Sequence, residues 1–239
     1  MSISKGILDV LEKSSWIRKM FEEGIQLKEQ YGEKNVFDLS LGNPLLEPPK
    51  KFKEKLINLA NSEEKGMHRY MPNPGFISTR KAIAENLNNE FSINVSSEEV
   101  IVTTGAAGGL NSVLKTLLNP DDEIIIFAPF FVEYLFYVSN HNGKSVIVKT
   151  DENFVPDMED LKSKITTKTK AIIINSPNNP TGVLYPKETI KKLGEIIQEK
   201  EKKLGTEIYL ISDEPYRKII FDDSKYPFIF EYHDRSIVV

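Results

Sequence analysis

Apolar, β-branched runs recur along this chain and alternate with stretches of helical period. The runs fall at residues 36–41, 100–103, 123–128, 145–149, 171–175 and 208–212. Several of them, such as IIIF and IIIN, are apolar on both faces, as strands are when a parallel sheet is covered on both sides. Between them, residues 75–91 and 109–118 read as helices. Residues 187–204 place Ile190, Leu193, Ile196 and Ile197 on one helical face. Asp157 is a natural N-cap for a short helix over 158–165. Ser96 and Glu99 have capping-box spacing, but a strand is expected so soon afterwards that only a turn fits. The alternation predicts an α/β fold, a mostly parallel sheet with helices on both faces. Ligands of such sheets sit outside the carboxyl ends of the strands, so chemistry is expected there.

Composition narrows the picture by exclusion. With 40% hydrophobic and 28% charged residues the profile is that of a soluble globular protein. Its 13 glycines and 13 prolines, unaccompanied by any repeat, rule out a collagen-like or low-complexity chain. At 239 residues one large α/β domain, alone or with a small one, can bury a full core. A net charge of −4, from 31 basic and 35 acidic side chains, argues against holding nucleic acid through its phosphates. The absence of cysteine removes disulfides, thiolate metal sites and thiol nucleophiles. His68, His141 and His233 are scattered without ligand spacing, so no metal is expected. No apolar run approaches the ~20 residues of a membrane helix. The N-terminal segment has charges within its apolar stretch and no small-residue cleavage site, unlike a signal peptide. A cytoplasmic location is then the default expectation.

Four strand ends carry candidate chemistry. After VIVTT comes Gly105-Ala106-Ala107-Gly108-Gly109, which opens a helix. Small residues at a helix start let free N–H groups approach an anion, although a tight strand-to-helix turn needs small residues too. The spacing matches neither GxGxxG nor a Walker A loop. After EIIIF, Phe130 and Phe131 offer either a flat face for a planar ring or ordinary core. After AIIIN, the run from Asn175 to Gly182 (NSPNNPTG) is polar and stiffened by two prolines, suited to fixing a ligand. After IYLIS, Asp213 ends a buried apolar strand, where a carboxylate is costly unless it meets a cation or several donors.

Taken in order, LGNP (41–44), HRYMPNPG (68–75), TTGAAGGL, APFFVEY, NSPNNPTG and SDEPY resemble the class I/II aminotransferases. These form the aspartate aminotransferase branch of the fold type I pyridoxal-phosphate enzymes. NSPNNPTG followed about thirty residues later by SDEPY is the most specific part of the likeness. The resemblance implies pyridoxal 5′-phosphate as cofactor and transfer of an amino group between an L-amino acid and a 2-oxo acid. It implies that Gly105, Ala106 and Ala107 give backbone N–H groups to the cofactor phosphate. Asp213 would hold the proton on the ring nitrogen, Asn179 and Tyr216 would meet the ring 3-oxygen, and Phe131 would stack on the ring. Asp213 and Tyr216 are thus the catalytic candidates in this chain. Tyr70 resembles a tyrosine that reaches the partner subunit's cofactor phosphate, implying a homodimer with a shared site. Gly42, with Asn179, would line the pocket for the substrate carboxylate.

The resemblance further implies residues 1–44 as a helix and strand belonging with a smaller domain, and 45–239 as the large cofactor domain. Relatives carry a Ser-x-Ser-Lys motif after the next strand, whose lysine forms the Schiff base and shuttles the α-proton. Here that strand is expected at 236–239, and the sequence stops at Val239. Lys225 lies in a polar stretch that reads as a solvated loop and is a poor substitute. The expectation is therefore an incomplete chain, lacking the lysine and the C-terminal small domain and inactive alone. Other readings stay open at this stage: a carbon–sulfur lyase or aminocyclopropane-carboxylate synthase of the same branch, or a non-catalytic relative. A nucleotide-binding oxidoreductase would need a carboxylate near Glu123, which opens a strand instead of ending one.

Overall fold

The computed structural model describes residues 3–4, 7–8, 15–39, 42 and 46–239. It divides into two compact units, Met1–Arg69 and Tyr70–Val239. The first holds helices α1 (Ser15–Tyr31) and α2 (Lys50–Ala60). Residues 36–39 join no strand, contrary to the expectation for 36–41; residues 40 and 41 lie outside the described residues. Phe37 and Leu39 are 90% and 94% exposed, so this apolar run has no sheet in which to be buried. Of LGNP, only Gly42 is described, in exposed irregular backbone.

The second unit contains α3 (Ile77–Phe91), α4 (Gly105–Leu117), β1 (Glu123–Phe127), α5 (Glu133–Asn140), β2 (Lys144–Val148) and α6 (Met158–Lys164). These are followed by β3 (Thr169–Asn175), α7 (Lys187–Leu204), β4 (Tyr209–Asp213) and β5 (Ser236–Val238). The five strands form one sheet in the order β2-β1-β3-β4-β5, and every pairing is parallel. Period-2 alternation distributes its isoleucines between two cores. Ile125, Ile172 and Ile174 pack with Ile190, Leu193, Ile196 and Ile197 of α7. Ile124, Ile126 and Ile173 pack with Leu110 and Leu114 of α4 and Val138 of α5. Helices therefore cover both faces, as the sequence predicts. Each fully buried isoleucine contributes about 1.5–3 kcal/mol of transfer free energy.

Local signals are realised closely. The Asp157 side chain accepts hydrogen bonds from the Glu159 and Asp160 amides, at 2.9 and 3.0 Å, and so caps α6. Ser96 and Glu99 form a capping box on the single turn Ser97–Glu99. The expected strand at 100–103 does not form. Its Val102 N–H is instead donated to the Pro74 carbonyl at 3.0 Å. Gly75 makes this approach feasible: its φ is +97°, and a Cβ there would lie 2.8 Å from Val102.

β1 sends the chain outward to β2, after which β3 returns to the other side of β1. The carboxyl ends of β1 and β3 thus flank a topological switch point, where a parallel sheet opens a crevice.

Candidate active site

The crevice is a cavity of about 260 Å³. Its wall brings together Ala106 and Ala107 from the start of α4, Phe131 from the loop after β1, Asn179 after β3, and Asp213 and Tyr216 after β4. Six sequence-predicted residues, from the start of α4 and from three separate strand ends, therefore meet in one place.

Each is positioned by its local sequence. Gly105 adopts φ +68°, a left-handed conformation that costs glycine little, and with it the chain turns into α4. No side chain caps this helix, so its first N–H groups, those of Ala106 and Ala107 among them, lack intrahelical partners. Together with the positive end of the helix dipole they make a setting for an anion. Gly105 is exposed beside this start. Phe131 stands edge-on to Tyr134, with ring centroids 5.7 Å apart at 86°.

Asp213 is the last residue of β4 and is 6% exposed. Its Oδ2 accepts a 2.5 Å hydrogen bond from the Tyr134 hydroxyl, while its Oδ1 is buried without any partner. Burial pushes the Asp213 carboxyl above the usual carboxylate range, and the Tyr134 bond opposes that rise. Burial, and then the Asp213 charge, push the Tyr134 hydroxyl far upward, so Tyr134 remains the donor. The result is a half-satisfied buried carboxylate aimed at a cavity, which a cationic N–H would complete.

Besides the apolar Leu110 and Pro215, sequence reasoning missed three polar residues of this wall, namely Tyr134, Tyr137 and Asn175. Tyr134 follows Phe131 by three residues across the start of α5, a spacing that turns both toward one side. Asn175 was legible as the polar end of β3, and its register neighbour on β4 is Asp213. Its side chain donates to the Asp213 carbonyl at 2.9 Å and accepts from the Asn179 amide at 2.7 Å, tying the two strand ends together.

Two further expectations are not met within this cavity. Tyr70 is fully exposed, and it is absent from the cavity wall. Gly42 belongs to the other unit. No lysine lines the cavity among the described residues, and Lys225 is exposed.

Residues 34–239 match the family Aminotransferase class I and II. The chain belongs to this family. The aspartate aminotransferase of Pyrococcus horikoshii is 34% identical over 223 residues, which is 92% of this chain and 53% of that protein. The aspartate aminotransferase of Bacillus subtilis is 34% identical over 203 residues, 84% of this chain and 49% of that one. An aminotransferase structure from Eubacterium rectale superposes with a TM-score of 0.94 at 36% identity, covering all of this chain and 61% of that one. The chain thus spans about half the length of the curated relatives it matches. In this class I and II aminotransferase-family chain, APFFVEY, NSPNNPTG and SDEPY lie at the carboxyl ends of β1, β3 and β4, and the parallel α/β architecture is the one shared with this solved relative.

Proposed function

We propose that the cavity holds pyridoxal 5′-phosphate, and that the whole protein moves an amino group between an L-amino acid and a 2-oxo acid. The observation that carries this reading is the buried, partnerless Oδ1 of Asp213, a residue that lines the same cavity as the start of the uncapped helix α4. Two such features on one cavity wall suit a ligand with an anionic end and a protonated ring nitrogen. When bound, the cofactor supplies an electron sink for negative charge at the amino acid α-carbon.

The residues of this chain have defined tasks under that reading. Asp213 Oδ1 accepts the ring N–H and keeps its proton in place, the charge of the carboxylate favouring the protonated ring. Tyr134 holds the carboxylate by its other oxygen. The amides at the start of α4 receive the phosphate, Phe131 covers one face of the ring, and Asn179 and Tyr216 donate to its 3-oxygen. Tyr70, absent from the cavity wall, would by the family likeness reach the cofactor phosphate of a second copy of the chain, in a homodimer. Gly42 would line the substrate carboxylate pocket, with Asn179. The same reading includes a cytoplasmic place in amino-acid metabolism, with residues 1–44 going with a smaller domain and 45–239 forming the cofactor domain.

The test is equilibrium titration of the purified protein with pyridoxal 5′-phosphate. Saturable binding is expected, weakened about 100-fold or more in Asp213→Asn, equivalent to about 2.7 kcal/mol. Borohydride is expected to leave no covalent adduct on the lysines of residues 1–239. Absent binding, or binding indifferent to Asp213→Asn, contradicts the reading.

A further inference from the structure

Tyr216 reaches the cavity from the turn after β4. The turn's own backbone bonds are Arg217 N–H to the Glu214 carbonyl at 3.3 Å and Ile219 N–H to the Tyr216 carbonyl at 2.8 Å. Residues 218–219 and 221–225, which follow, are exposed. Glu214 roots the turn, its N–H donated to the Val239 carbonyl at 2.9 Å and its carboxylate met by the Tyr226 and Ser212 hydroxyls, and charge grips the rest. The Arg217 guanidinium lies 3.1 Å from Oε2 of Glu214, whose side chain is only 2% exposed. Its other terminal nitrogen lies 3.7 Å from Oε2 of Glu90, near the end of α3. The guanidinium also sits 5.2 Å from the ring centroid of Phe91, the last residue of α3. Phe91 in turn stacks on the buried Phe228, with centroids 4.1 Å apart and planes within 7°. Lys218 pairs with the remaining oxygen of Glu90.

We infer that Arg217 is a positioning residue, a staple that fixes the Tyr216 turn against the end of α3 so that the Tyr216 hydroxyl is held where the bound ring needs it. The side chain type matters. A planar fork spans two carboxylates while lying flat over a ring in one fixed geometry, whereas an ammonium group is a rotating point charge without that plane. Glu214 and Arg217 flank Tyr216 within the turn, and Glu90 and Phe91 anchor it from a different element. Loss of the staple leaves Tyr216 in the chain but frees its backbone. Arg217 itself is absent from the cavity wall, so it acts only through Tyr216. This inference rests on the proposed cofactor site for its consequence, though not for its geometry.

Two measurements on the purified protein test it. The first is hydrogen exchange of the 214–220 segment without cofactor. Arg217→Ala is expected to speed exchange there about tenfold, with β3 and β4 unchanged. The companion variant Arg217→Ala with Glu214→Gln should do the same without stranding a buried charge, which guards against simple misfolding. The second is a double-mutant cycle on pyridoxal-phosphate affinity. Arg217→Ala should weaken binding about five- to tenfold in the wild-type background and less than about twofold in Tyr216→Phe. Unchanged exchange in both variants overturns the inference, and so does an equal loss of affinity in the two backgrounds. If the wild-type protein does not bind the cofactor, the proposed function fails. In that case the exchange result decides the staple alone.

Discussion

The loop after β3 closes on itself, whereas the turn after β4 is held from outside. In the first, Ser176 Oγ accepts the Tyr185 amide at 2.8 Å, and Asn178 Oδ1 takes the Thr181 amide and hydroxyl. The Asn178 and Val183 backbones pair at 2.9 Å. In the second, the two buried carboxylates Asp213 and Glu214 each leave one oxygen without a close hydrogen bond; Asp213 leans on Tyr134 of α5, and Glu214 on the Tyr226 and Ser212 hydroxyls and on Arg217. One loop is a frame with its polar groups satisfied. The other is a floor that retains unmet demand, and unmet demand in a buried cavity is what a ligand can satisfy.

The comparison breaks or sharpens under substitution. The largest effect is expected from the frame. Asn175→Ala removes the bonds to the buried Asp213 carbonyl and to the half-buried Asn179 amide. A loss of about 2–4 kcal/mol of folding stability should appear in denaturant unfolding. On the floor, Tyr134→Phe takes away the donor to Asp213 and should cost less, about 1–3 kcal/mol, while weakening cofactor binding. Equal costs to stability, with cofactor affinity untouched by Tyr134→Phe, would erase the distinction.

The smallest effect has the opposite sign. Burial raises the folded-state pKa of Asp213 above its unfolded value, so the stability linked to this group is present in acid and is lost as pH rises through the raised value. Asp213→Asn removes that loss. In the cofactor-free protein the variant's melting temperature should exceed the wild type's by about 2–4 °C above neutrality, with the gap closing toward the ordinary carboxylate range. A gap that widens in acid would reverse the sign and contradict the burial argument.

Much of this was written in the sequence where local chemistry decides. The sheet strands announced themselves as two-faced apolar runs because both faces are covered, and the cavity residues announced themselves as polar or small groups interrupting those runs. The exceptions have physical causes. The run at 100–103 is as β-branched as a strand, but its Val102 amide goes to Pro74, and a ladder needs a neighbour that composition does not reveal. Phe37 and Leu39 likewise stay exposed, in a stretch where residues 36–39 join no strand. Tyr134 escaped notice because its importance lies in a bond to a residue 79 positions away, which no local pattern encodes. The staple at Arg217 joins α3 to the β4 turn in the same non-local way. Gly42 and Tyr70 rest on the family likeness, since neither lines the cavity.

The most direct test of the account is the protonation state of the ring nitrogen, read from the ¹⁵N chemical shift of ring-labelled pyridoxal 5′-phosphate bound to the protein near pH 8. A protonated nitrogen in the wild type, and an unprotonated one wherever Asp213→Asn still binds, is the predicted result. An unprotonated nitrogen in the wild type, or a shift indifferent to residue 213, would contradict the pairing of Oδ1 with the ring and the account built on it.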